Sequence, residues 1–63
     1  MINKNEAHLF LGKIVTVVYR DVNSEGWNSG KIIELSDNGI ILDRYGKKLF
    51  ISFDSVVKIK ESR

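Results

Sequence analysis

The segment Arg44-Tyr-Gly-Lys-Lys48 sets side by side the two kinds of group that single-stranded nucleic acid needs. Its cations neutralise phosphates, and its aromatic ring is a surface on which a base stacks. Trp27, in a turn-rich stretch, is a second stacking surface, and Lys31, Lys58 and Lys60 fall at outward-facing strand or tail positions. A structural explanation competes: Tyr45 covers a turn, Trp27 folds back over the rim, and lysines keep edge strands apart. Ten Lys and Arg stand against eight Asp and Glu, a net charge of +2. The overall charge therefore permits nucleic-acid contact without arguing for it, and only the local cluster carries the argument.

Catalytic chemistry is poorly supplied. His8 is the only histidine and there is no cysteine. Asp21, Asp37, Asp43 and Asp54 each stand where a carboxylate bonds turn backbone. Gly26, Gly30, Gly39 and Gly46 are scattered over different turns and do not gather into a phosphate loop. A nucleophile, base or metal set cannot be assembled from this inventory, so no enzymatic activity, no cofactor and no metal is expected.

The elements that must hold these residues are short. Five β-branched runs, Lys13–Arg20, Asn28–Leu35, Gly39–Asp43, Lys48–Phe53 and Val56–Lys60, are separated by turn signals in a chain of 63 residues without Pro. That spacing predicts an all-β domain, a five-stranded and strongly bent antiparallel barrel, with a short N-terminal helix. Asn3 and Asn5 can each cap a helix over Lys4–Leu11, with Gly12 behind it. Leu9, Phe10 and Ile2 would then lid one end of the barrel. Asp21–Trp27 reads as the longest loop, with Gly26 at positive φ. Gly30 falls inside the second strand, where a missing side chain permits a sharp bend. Asn38-Gly39 and Gly46 mark hairpins, Asp54 caps a brief turn, and Lys58–Arg63 is a polar tail.

Alternation puts Val15, Val17 and Tyr19 on one face of the first strand, Leu49, Ile51 and Phe53 on one face of the fourth, and Val57 with Ile59 on one face of the fifth. Val15, Val17, Ile32, Leu42, Ile51 and Ile59 should meet at the centre. Val18, Phe50 and Val56 are left outside a one-sided core, and clustered exposed apolar groups mark an interface, here between copies of the chain. Below about 70–80 residues one core supplies only about 3–5 kcal/mol, so self-association would also offset the small size of the domain. With 43% hydrophobic and 29% charged residues the composition is globular. No apolar run reaches the length of a membrane span, and no signal peptide stands at the start, because Met1–Glu6 is polar and Gly12 and Lys13 break the next apolar stretch. A cytoplasmic location with no membrane partner is the expectation.

The order of helix, Gly-Lys, glycine-bent strand and short turn before the last strand resembles the Sm-like (LSm) family of RNA-associated barrels over nearly the whole chain, in a general pattern similar to that of many SH3-like barrels. Leu11-Gly-Lys-Ile-Val-Thr-Val17 is similar to the family's entry into its first strand. Gly30-Lys-Ile32 with Ile40-Ile-Leu-Asp43 follows the first half of the Sm signature, and Phe50-Ile-Ser-Phe-Asp-Ser-Val-Val-Lys-Ile59 follows the rhythm of the second. In that family an Asp before the third strand, an Asn at its start and an Arg-Gly before the last strand line a pocket for a base. Here Asp37 is retained, Gly39 falls at the Asn position, Ser52-Phe53 replaces Arg-Gly, and the Lys-His pair of bacterial RNA-chaperone relatives is missing. The long first loop is similar to that of the C-terminal barrel of bacterial ribosome maturation factors, which works through protein and ribosome contacts.

The resemblance implies a bacterial or phage setting and a non-enzymatic, homo-oligomeric module, a ring or dimer, that contacts single-stranded RNA weakly. Asp37 and Asn38 would approach a base, Arg44, Lys47 and Lys48 would meet phosphates, and Trp27 or Tyr45 would stack. The competing expectation is a protein-interaction adaptor that keeps the barrel and has lost the RNA pocket.

Overall fold

The computed structural model describes residues 2–62. These form a helix α1 (Lys4–His8) and strands β1 (Ile14–Arg20), β2 (Glu25–Leu35), β3 (Gly39–Arg44), β4 (Lys47–Ser52) and β5 (Val56–Glu61), with a 3-10 turn at Phe53–Ser55. All five strands belong to one antiparallel sheet in the order β4-β3-β2-β1-β5. The all-β architecture is as expected, but the barrel is not closed: β4 and β5 are the two edges and do not pair with each other. Only the three-residue turn separates them, and at this junction Phe53 turns into the core where closure would need a ladder of hydrogen bonds.

The sheet curls because β2 changes partner along its length. It pairs with β1 through Lys31 and with β3 from Lys31 onward, so its two halves run in different parts of the sheet. The bend requires Gly30: a Cβ there would lie 2.6 Å from the Asp43 carbonyl oxygen and 3.1 Å from Leu42 Cγ. Two bulges add curvature. In β2 the register passes from Ile32↔Leu42 to Glu34↔Ile41, leaving Ile33 unpaired. In β5 it passes from Val18↔Lys58 to Tyr19↔Val56, leaving Val57 unpaired.

Each bulge reverses which face the following residues present. Past Val57 the alternation flips, so Val56 and Ile59 face inward while Val57 is exposed. This corrects two expectations: Val57 does not join the core face with Ile59, and Val56, only 1% exposed, is a core residue and not part of an oligomer interface. The core contains Val15, Val17, Ile32, Ile40, Leu42, Ile51, Phe53, Val56 and Ala7, with Ile59, Leu49 and Tyr19 packed against it. Five of the six residues expected at the centre are thus buried and Ile59 lies at its margin. Each such aliphatic side chain removed from water stabilises the fold by about 1.5–3 kcal/mol.

Asn3 caps α1 in a reciprocal capping box: the Glu6 N–H donates to Asn3 Oδ1 at 2.8 Å and the Asn3 N–H donates to Glu6 Oε1 at 3.3 Å. The helix is shorter than expected, ending at His8, and the chain turns through Leu9–Leu11 to Gly12 at φ 83°. Gly12 N–H then donates to the Ile32 carbonyl at 2.8 Å, which fastens the turn to β2. Ala7, Phe10 and Ile2 form the lid contact, whereas Leu9 is 71% exposed. Residues 21–24 alone make the first loop, because Glu25, Gly26 and Trp27 pair with Arg20, Tyr19 and Val18, and Gly26 is not at positive φ. Ser52, not Asp54, caps the 3-10 turn. The expected tail contributes Glu61 to β5 opposite Val15, and Arg63 lies outside the described residues.

Candidate nucleic-acid interface

The β3–β4 hairpin closes through Tyr45 at φ 53° and Gly46 at φ 85°, the two positive values that a two-residue turn matching the sheet's twist requires. Gly46 adopts this region freely. Tyr45 does not, because its Cβ crowds the following carbonyl. The Gly46 N–H donates to Asp43 Oδ1 at 3.1 Å, which stabilises the turn from one side. The Tyr45 ring is 95% exposed, and Arg44 Cζ lies 5.9 Å from its centroid. Arg44 Nη1 also reaches Asn28 Oδ1 at 3.5 Å, a long contact across to β2. Among the described residues the ion pairs engage Lys4, Lys13 and Arg20, so Lys31, Arg44, Lys47 and Lys48 keep their charge uncompensated by a paired carboxylate.

Pairing between β2 and β3 stops at Lys31↔Asp43, and the N-terminal half of β2 continues along β1. The hairpin tip therefore overhangs a fork in the sheet. A cleft of about 300 Å³ occupies the fork, lined by Ile14, Ser29, Gly30, Lys31, Asp43, Arg44 and Tyr45. A second pocket of about 280 Å³ is lined by Tyr19, Asp21, Asn28, residues Leu49–Ser52 of β4 and Ser55.

The expected site residues do not form one constellation. Asp37 and Asn38 sit in the β2–β3 turn at the opposite end of β3 from Arg44–Lys47. Six residues at about 3.3 Å each put roughly 17–20 Å between the two turns. The Asp37 turn has its own ties: Lys4 Nζ donates to Asp37 Oδ1 at 3.1 Å, and the Asn38 carbonyl accepts from Phe53 N–H at 2.9 Å. Phe53, which the expected resemblance set at an Arg-Gly position, is buried and belongs to the core. Trp27 is in strand β2 opposite Val18, 62% exposed on the outer face, and does not sit in a loop. Arg44, Tyr45 and Lys47 do converge at one tip, with Lys48 opposite Asp43 at its base. Val18 is half-buried beside Trp27, and Phe50 is 58% exposed on edge strand β4, opposite Ile41.

Ile14 and Lys31 join this tip although the sequence gives them only an outward strand face. What turns them toward the hairpin is the bend at Gly30, a long-range feature. Among the described residues no three His, Cys, Asp or Glu side chains gather as metal ligands would, and no helix is long and apolar enough to cross a membrane. No family model, curated protein or solved structure matches the chain.

Proposed function

We propose that this chain is a non-enzymatic binding module that takes single-stranded RNA on the β3–β4 hairpin, with Tyr45 stacking on a base and Arg44, Lys47 and Lys48 meeting phosphates. One observation carries the reading: Tyr45 is a large aromatic residue held at an unfavourable φ while its ring covers almost nothing. A turn selected for folding alone would have Asn or Gly there. Backbone strain without a packing return is the signature of a contact made to something else. The uncompensated cations around the ring supply the sequence-independent attraction that single strands need. Asp37, Asn38 and Trp27 stand apart from this tip and are not included in it.

Fluorescence anisotropy of labelled eight-nucleotide RNAs at two salt concentrations tests the reading. Three phosphate contacts give a slope of about −2 in log K against log salt, from about −0.7 per contact on single strands. The double variant Lys47→Ala, Lys48→Ala should flatten that slope to about −0.7. An affinity indifferent to salt, or unchanged by loss of both lysines, removes the hairpin from the binding surface.

A second reading, self-association through the sheet edge, is favoured by Phe50. The free edge of β4 presents unpaired backbone groups beside an exposed phenyl ring, and such an edge is a template for pairing with another chain. Homo-oligomer and RNA contact are compatible, because Phe50 and Tyr45 are on different parts of the β3–β4 unit.

A further inference from the structure

Resting on the RNA reading of the hairpin, we propose that the fork between β2 and β3 is a base-reading slot that accepts a nucleobase bearing an exocyclic amine, cytosine or adenine, in preference to uracil. Its cleft of about 300 Å³ lies at the lower end of the range for small-ligand sites, about 300–1,000 Å³. Ile14, an exposed apolar side chain, and Tyr45, with its exposed aromatic ring, both line it. Gly30 lies in the cleft lining, and the place of its missing side chain is taken by the Asp43 carbonyl and Leu42, which holds β2 and β3 together at the base of the fork. Lys31 and Arg44 bring positive charge to the rim, where the phosphate joined to an inserted base would lie.

Asp43 supplies the discrimination. It lies in the cleft wall, directly opposite Lys31 on one side and Lys48 on the other, yet forms an ion pair with neither. Its Oδ1 accepts the Gly46 N–H, and its second oxygen has no hydrogen bond among the described residues. A carboxylate oxygen in that position accepts from the N4 amine of cytosine or the N6 amine of adenine. Uracil presents the O4 carbonyl at the same place, and two acceptors facing each other repel.

Cytosine and uracil have the same ring size, so octamers of C and of U separate hydrogen bonding from stacking area. Anisotropy titrations should find the wild-type protein binding the C octamer about fivefold or more tightly than the U octamer, the lower end of base discrimination by one good contact. Asp43→Asn keeps an oxygen for Gly46 and puts an NH₂ where the second oxygen was, so the preference should vanish or reverse. Equal binding of both octamers by the wild type, with affinity still dependent on Tyr45, overturns the slot and leaves the hairpin reading standing. A preference untouched by Asp43→Asn also overturns it. Failure of both octamers to bind overturns the slot and the hairpin reading together. Should Asp43→Asn fail to fold, Ile14→Thr on the exposed wall must weaken the C octamer at least threefold, and unaltered affinity refutes the slot.

Discussion

Replacing Tyr45 with Asn should leave the protein as stable as before or slightly more so, and make it bind RNA more weakly. At φ 53° a residue with an ordinary Cβ costs roughly 1–2 kcal/mol, and Asn, which visits this region routinely, relieves about 1 kcal/mol of that. The losses are small. A Tyr ring can bury roughly 200 Å², but this one is 95% exposed, so about 10 Å² of contact disappears, worth about 0.3 kcal/mol at 25 cal/mol/Å². Arg44 at 5.9 Å is near the limit for attraction to the ring and contributes about 0.5 kcal/mol. The balance is a gain of a few tenths of a kcal/mol, or about 1–2 °C in Tm for a domain of this size. Differential scanning calorimetry reads the stability and RNA anisotropy reads the affinity, which should fall about 5- to 150-fold if one base stacks on the ring. A Tm lowered by more than about 5 °C would mean that Tyr45 packs against the protein and that its positive φ is repaid within the fold.

Gly30→Ala should destabilise the domain by about 1–3 kcal/mol, because its Cβ would press into the Asp43 carbonyl at 2.6 Å; an unchanged urea midpoint would show that β2 does not need the close approach. Phe50→Glu should leave Tm within a few degrees, since the ring is mostly exposed, and should lower the solution mass measured by light scattering if the β4 edge is a seam between copies. Val56→Ala, by contrast, should cost about 2 kcal/mol in chemical denaturation through the cavity it opens in the core, and a neutral effect would contradict its burial. Asn3→Ala removes the side-chain arm of the capping box, the bond from the Glu6 N–H, and should cost about 1 kcal/mol; if hydrogen exchange at Glu6 and Ala7 stays unchanged, the cap is not what holds α1.

Strand identity and most of the inward face were legible because alternation is a local property: successive side chains on a strand point to opposite sides whatever the strand pairs with. Val15, Val17, Leu42 and Ile51 could be assigned to the interior on that ground alone. The hairpin after Leu35 was legible too, though for a different reason from the one its Asn-Gly pair suggests. Neither Asn38 nor Gly39 has positive φ; the Ser36 hydroxyl accepts from both the Asn38 and Gly39 N–H groups. Gly39 is needed where β3 meets β4, since a Cβ there would meet the Ile51 carbonyl oxygen and come within 2.6 Å of Phe50 Cζ.

The residues whose placement differed are those governed by pairing between distant segments. One unpaired residue at Val57, set by how β5 registers on β1, reverses the faces of β5 and takes Val56 from the surface to the core. Trp27 leaves its loop because β1 has partners to offer it, and Leu9 is left exposed because the smaller Ala7 is the helix residue that fits against the sheet.

From residue types and their order came five strands, a capped helix, a glycine bend and a basic aromatic turn, since each depends on torsional preference and period over a few neighbouring positions. Where the strands stop pairing is a matter of tertiary structure. That alone opened the fork beside Asp43, separated Asp37 from Arg44 and left β4 and β5 as free edges, because register and closure are settled by the packing of the entire sheet around one small core.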